Sequence, residues 1–354
     1  MPKAGNAFAL AGAGVMGLPA ILREQDKLKI GFHSALAGLE TILGETQLNS
    51  KRAVTTAGKE VWMAKRILVA TDFSTRSDRA IRRATILAKT LGTSVSLVHV
   101  IDDDRPERLF EAERNKAQSL LDELVESLKQ IDHVKSDAQV LLGEVSTAIA
   151  KANEDLQPEF LVIGPHRHQG FRDIFSGTTA ERTIRVSKRP VLMACGMPTR
   201  PYRHVLVALD LSAYSADALH AIKNIGLDQD AVISFVHVFD VPPATMMWRA
   251  GVGKGEIEDY IKEEGKIASK ELAAFLQKHQ MEYAEKILRP NQSSAAIVIC
   301  DIAKEINADL LVVGSRGRAG IKKLFLGSVA EQVLRDVDRD VLVVPPGNSP
   351  DSRD

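Results

Sequence analysis

The sequence predicts a tandem α/β protein: two doubly wound domains, each an open five-stranded parallel sheet with helices on both faces. Three observations lead there. The chain has 354 residues, room for two domains at about 100–200 residues each. From Arg66 onward it repeats itself. Apolar runs of strand length alternate with amphipathic helical stretches, the pattern of a parallel sheet built by crossovers.

The repeat fixes the elements. Arg66-Ile-Leu-Val-Ala-Thr-Asp72-Phe-Ser74 returns as His204-Val-Leu-Val-Ala-Leu-Asp210-Leu-Ser212, a buried strand ending in an Asp and an N-cap Ser. Ser94 to Val100 returns as Val232 to Val238, at an offset of 138 residues. The strand Glu159 to Gly164 returns as Asp309 to Gly314, and Arg189 to Ala194 as Arg339 to Val344, at an offset of 150. Between them, Glu107 to Gln130, Thr147 to Leu156, Glu256 to His279 and Ala295 to Asn307 read as amphipathic helices. Each half is therefore a βαβαβαβαβ unit with right-handed crossovers. We divide the chain into an extension (1–62), a first domain (63–198), a second domain (202–346) and a tail (347–354), with the linker at Pro198 to Pro201.

Bulk composition narrows the function. Lys+Arg and Asp+Glu are equal at 46 each, so no global positive field exists to hold nucleic acid or an anionic membrane. With 45% hydrophobic and 26% charged residues and no run of about 18 apolar residues, a soluble protein is expected. Cys195 and Cys300 have neither disulfide nor zinc spacing, which fits a reducing cytoplasm.

Ligands of such sheets bind beyond the carboxyl ends of the strands, where strand order reverses. In the second half that place carries Gly314-Ser315-Arg316-Gly317 and, nine residues on, Gly327-Ser328-Val329-Ala330-Glu331 at a helix start. Glycines let backbone approach a ligand, and a helix start offers N–H donors to an anion. Ser328 is expected to cap the helix and meet a phosphate. Arg316, Arg318, Lys322 and Lys323 bring positive charge. Asp210 faces the same crevice, suited to ribose hydroxyls or a metal.

With these residues the chain resembles the universal stress protein family. Val313-Gly314-Ser315-Arg316-Gly317 followed by Gly327-Ser328-Val329 fits that family's ATP-binding pattern G-x2-G-x9-G-S/T, and Val207-Ala208-Leu209-Asp210-Leu211-Ser212 resembles its first strand. The likeness runs from about Arg66 to Pro346. It implies a Rossmann-like fold and ATP or AMP as ligand, with or without Mg. Asp210 and Val238 would flank the adenosine beside Ala208 and Leu209. Gly314, Gly317, Gly327 and Ser328 would cradle the phosphates, with Val313, Arg316 and Val329 in the same loops. Family dimers pair through the last strand. Here Val191–Ala194 and Val341–Val344 would do so within one chain, as an intrachain pseudo-dimer, with a homodimer of that pseudo-dimer as a further expectation. The implied role is a nucleotide-dependent stress-response sensor or regulator acting through an unidentified protein partner.

The first half departs from this pattern. It reads Gly164-Pro165-His166-Arg167 and then Gly177-Thr178, so Arg167 replaces a glycine and Pro165 removes a donor. The loop is either vestigial, the reading we favour, or Arg167 reaches another anion. His99 and His237 read as satisfied interior residues, and His166 and His168 lack a third ligand. Asp72 and Asp210 also have a reading as helix-capping carboxylates. The second half carries 12 extra residues between its second and fourth strands, and the stretch Val241 to Gly253 there, with Met246, Met247 and Trp248, reads as a flexible segment packing across the domain interface, or else a lid over the nucleotide. No P-loop, catalytic triad or general base emerges, so a binding module leads. A slow, Mg-dependent or autophosphorylating ATPase and a nucleotide-independent dimeric scaffold remain as alternatives.

In residues 1–62, Gly12, Gly14 and Gly17 match GxGxxG but lack the preceding strand and following acid of a dinucleotide site. Secretion also fits poorly. A small-residue, flexible extension is expected, with Met63 a natural start. A protein beginning at Met63 should fold and bind ligand as the full chain does, by circular dichroism and calorimetry. Loss of folding in that shorter protein would overturn the expectation.

Overall fold

Apolar runs such as Ile67-Leu68-Val69 and Val205-Leu206-Val207 are wholly buried, as strands covered on both faces must be. The computed structural model describes residues 65–102, 107–165, 179–242, 244–281, 284–317 and 326–347. The GxGxxG match, His166, Arg167, His168, Gly177, Thr178, Arg318, Lys322, Lys323 and the tail from Asn348 on lie outside them.

The first half runs β1 (Arg66–Ala70), α1 (Thr75–Leu91), β2 (Ser94–Ile101), α2 (Glu107–Gln130), β3 (Ser136–Leu142), α3 (Val145–Leu156), β4 (Phe160–Ile163), α4 (Thr179–Val186) and β5 (Val191–Met193). The second runs β6 (His204–Ala208), α5 (Ala213–Ile225), β7 (Val232–Asp240), α6 (Ala244–Arg249), α7 (Lys254–Lys278), β8 (Glu285–Asn291), α8 (Ala295–Glu305), β9 (Leu310–Gly314), α9 (Ser328–Asp336) and β10 (Asp340–Val344). Strand order is β3-β2-β1-β4-β5-β10-β9-β6-β7-β8, and every neighbouring pair but one is parallel. Each half is thus the doubly wound five-stranded sheet that the repeat predicts. Its two faces pack into two apolar clusters, one holding Ile67, Phe160 and Phe235, the other Leu68, Leu161 and Val341.

The exception joins the halves. β5 pairs antiparallel with β10, Leu192 opposite Leu342, Val191 opposite Val343 and Met193 opposite Val341. These partners exchange under the 150-residue repeat, so a pseudo-twofold axis passes between Leu192 and Leu342 and makes the chain an intrachain pseudo-dimer.

One side of that axis is clamped by a buried polar cluster. Asp340, 1% exposed, accepts from Arg83 Nε at 2.6 Å and Tyr202 Oη at 2.7 Å through Oδ2, and from the Gly196 amide at 2.8 Å through Oδ1. Arg83 also donates to the Arg200 carbonyl at 2.8 Å and lies over the Tyr202 ring. The linker between the halves is fastened by these bonds. The repeat places Ala221 and Pro190 where Arg83 and Asp340 stand, so the other side of the axis has no such pair and opens into a groove of about 830 Å³ lined in part by both.

Breaking a buried ion pair by removing one partner strands the other charge, at about 3–5 kcal/mol. Arg83→Met should therefore lower stability by about that amount in urea unfolding, and Arg83→Met with Asp340→Leu by less. A loss under about 1 kcal/mol for the single variant would sink this account.

Candidate functional site

The turn after the first strand repeats in both halves with an unusual backbone. Phe73 and Leu211 take left-handed φ values of 58° and 61°, uncommon for bulky residues. The preceding aspartate holds the turn. Ser74 N donates to Asp72 Oδ1 and Ser212 N to Asp210 Oδ1, each at 3.1 Å. This is an Asx turn leading into a helix. The N-caps themselves are Ser74 and Ser212, so the aspartates do not cap the helices, one of the two readings the sequence leaves open, but hold the turn just before them.

Beyond that shared role the halves differ. Arg76 lies 3.7 Å from Asp72, and the repeat puts Tyr214 in its place. Burial acts to raise the Asp72 pKa, but hydrogen bonds from Ser74 and Ser77 and the Arg76 charge hold it below its ordinary value. Asp210 Oδ1 accepts from the Ser212 and Ser215 hydroxyls at 2.6 and 2.5 Å, while Oδ2 faces Gly317. A Cβ on Gly317 would stand 2.9 Å from that oxygen, closer than side chains tolerate. Gly317 is a glycine because backbone and carboxylate meet there.

Around Asp210 the carboxyl ends of β6, β7, β8 and β9 and the starts of α8 and α9 enclose a cavity of about 330 Å³. Every sequence-predicted site residue among them lines it. Ala208, Leu209 and Asp210 come from the end of β6, Val238 from β7, and Val313, Gly314, Arg316 and Gly317 from β9 and its turn. Gly327, Ser328 and Val329 come from the start of α9. The two edges of the loop are tied, Gly327 N donating to Ser315 O at 2.8 Å and Ser315 N to Val344 O at 2.7 Å.

Ser328 does not hold the capping position the sequence suggests for it. The N-cap of α9 is Gly327, with extended backbone (φ −62°, ψ 146°), and Ser328 is already helical. From the first helical position its hydroxyl does not cap the helix. No side chain caps α9, so the amide donors of its first turn are left for an occupant of the cavity.

Ser215, Asp240, Asn291, Ala295, Ile299 and Leu326 also line the cavity and were not among the residues read from the sequence. Asp240 and Asn291 end strands, Ser215 lies in the first turn of α5, Ala295 and Ile299 in the first two turns of α8, and Leu326 just before α9; these positions were the available signal. His99 and His237 are structural, as expected. Nδ1 of each lies 2.8 Å from the carbonyl of Thr71 or Leu209; a carbonyl only accepts, so Nδ1 carries the proton and joins β2 to the end of β1 and β7 to the end of β6. Burial pushes the Cys195 thiol up to about 12 and Cys300 up to about 11, which keeps both out of nucleophilic chemistry. Among the described residues no three His, Cys, Asp or Glu side chains gather as a metal site.

The stretch Val241 to Gly253 overturns two expectations. Part of it is helical, α6, as its Ala, Met and Arg content permits. Met246 and Trp248 are 64% and 75% exposed, so they do not pack across the domain interface. That interface lies at β5 and β10, whereas α6 follows β7 towards the far edge of the sheet.

Fold and cleft define a tandem doubly wound α/β protein with a glycine-lined crevice at the switch point of its second domain. The sequence pattern of the universal stress protein family matches residues 63–194 and 201–345. The chain belongs to that family. A universal stress protein of Mycolicibacterium smegmatis is 23% identical over 79% of this chain and 97% of its own. One of Methanocaldococcus jannaschii is 30% identical over 40% of this chain and 82% of its own. The crystal structure of a universal stress protein from Archaeoglobus fulgidus superposes with a TM-score of 0.57 at 21% identity, covering 80% of this chain and 98% of that one, a likeness of fold. No described helix is long and apolar enough to cross a membrane.

With Trp62 replaced by Phe, acrylamide should quench Trp248 as readily as a free indole. Strong protection from the quencher would restore the packing reading.

Proposed function

We propose that the second domain, residues 202–346, binds an adenine nucleotide, ATP or AMP, and that the chain serves as a nucleotide-responsive sensor or regulator in a cytoplasmic stress response, working through a protein partner. The observation that carries this reading is the convergence of the glycine loop, Asp210 and the uncapped start of α9 on one cavity.

Each part of a nucleotide has a matching surface. Phosphates suit Gly314, Gly317 and the first-turn amides of α9, with Arg316 alongside. Ribose hydroxyls suit Asp210, whose Oδ1 is held by two serines. A flat base suits the apolar walls Val236, Val238 and Ile299. The order β9-β6-β7-β8 spans three strand spacings of about 4.8 Å, about 14 Å in all, long enough for a nucleoside monophosphate laid across the strand ends. Where Mg²⁺ accompanies ATP, Asp210 would offer it a carboxylate.

The first domain, residues 63–198, serves in this reading as structural partner. Arg76 lies against its aspartate, and Pro165 has no N–H to offer a phosphate.

Calorimetry with ATP and AMP should give about one site per chain. Gly317→Val, which pushes a side chain toward Asp210, should weaken binding at least tenfold, about 1.4 kcal/mol, with the circular dichroism spectrum unchanged. Two equal sites would remove the asymmetry, and no binding would leave the scaffold reading. Phosphate release abolished by Asp210→Ala would establish slow hydrolysis instead.

A further inference from the structure

At the end of the cavity away from the glycine loop stand two residues that the phosphate and ribose contacts do not use. Asp240 and Asn291 are register partners at the carboxyl ends of β7 and β8, and both line the cavity. Asn291 Nδ2 donates to Asp240 Oδ1 at 3.1 Å. A carboxylate only accepts, so this bond fixes which way the amide points: its NH₂ faces Asp240 and its oxygen faces away. That oxygen, Asn291 Oδ1, is buried and meets no hydrogen-bond partner among the described residues. A buried acceptor left unsatisfied is costly, and a site containing one selects a ligand that brings a donor.

The repeat sharpens the point. Pairing places Leu288 opposite His237 and Val140 opposite His99, which sets Gly143 of the first half at the position of Asn291. Asp102 stands at the position of Asp240. The amide is therefore present in the half that carries the complete glycine loop and replaced by a glycine in the half that does not.

We propose that Asn291, oriented by Asp240, is the base-discriminating residue of this site and selects 6-aminopurine nucleotides by accepting a hydrogen bond from the 6-amino group. The proposal rests on the nucleotide reading above. With phosphates at β9 and α9, a base laid along the strand ends brings its far edge to β7 and β8. There an adenine 6-amino group meets Oδ1 as donor to acceptor. The 6-oxo group of hypoxanthine or guanine would set oxygen against oxygen, and a purine with hydrogen at that carbon would leave Oδ1 unsatisfied. Asp240 acts as a positioning residue: it accepts from Nδ2 and so prevents the amide from turning over.

The test is calorimetric titration of the full chain with AMP, IMP and purine riboside 5′-monophosphate. The native chain should bind AMP at least tenfold more tightly than either analogue. In Asn291→Leu the preference over purine riboside monophosphate should fall to within about twofold, while binding itself persists. Asp240→Asn, which can donate to Asn291 as well as accept, lets the amide turn over and should gain affinity for IMP relative to AMP, a change that a merely structural role would not produce. Equal binding of AMP and IMP by the native chain, or an unchanged preference in Asn291→Leu, overturns this proposal and leaves the nucleotide reading standing. Failure of the native chain to bind any of the three overturns both.

Discussion

Val191 to Met193 and Val341 to Val343 are wholly apolar, yet each closes a parallel sheet on the side where an exposed strand would invite uncontrolled pairing. Their antiparallel ladder satisfies both edges at once, converts two sheets into one of ten strands and sets the pseudo-twofold axis on which the remaining elements are arranged. Both apolar clusters run through this seam, since Leu192 and Leu342 belong to one and Val191, Met193, Val341 and Val343 to the other. Removing the ladder would expose more than three residues on each side; it would divide both cores.

Duplication supplies the architecture, and departures from it set the two halves apart. Where the repeat is kept, as in the left-handed Phe73 and Leu211 turns or the His99 and His237 bonds to strand-end carbonyls, the residues hold the scaffold together. Where it is broken, the two copies make different contacts. Arg83 and Asp340 fasten the linker on one side of the axis, while Ala221 and Pro190 leave the other open. Tyr214 replaces Arg76 near the repeated turn aspartate, and Asp210 turns Oδ2 to Gly317 rather than to a cation on the following helix.

Buried strands announce themselves in the sequence because both faces are apolar, and β1, β4, β6 and β9 were legible as uninterrupted runs. The third strand of each half was implied by the count but not placed. β3 and β8 sit at the outer edges, half exposed, with Asp137 and Gln139 in one and Arg289, Pro290 and Asn291 in the other. The same polarity that hid β8 as a strand hid Asn291 as a site residue. The glycine loop was legible because spacing alone encodes it. That Gly327 rather than Ser328 precedes the helix was not, since either residue is acceptable there. The exposure of Trp248 was also out of reach: a large apolar side chain is ordinarily buried, and its solvent position depends on how far α6 lies from the junction between the halves.

The single antiparallel pairing also has a directional consequence. Strands of the first half run opposite to those of the second, so their carboxyl ends emerge on opposite rims of the common sheet. The cleft of the second domain and the corresponding end of the first therefore face away from one another. A molecule held at one rim makes no direct contact with the other. What the two halves share is the β5–β10 ladder, with Leu192 opposite Leu342, and the linker held by Asp340.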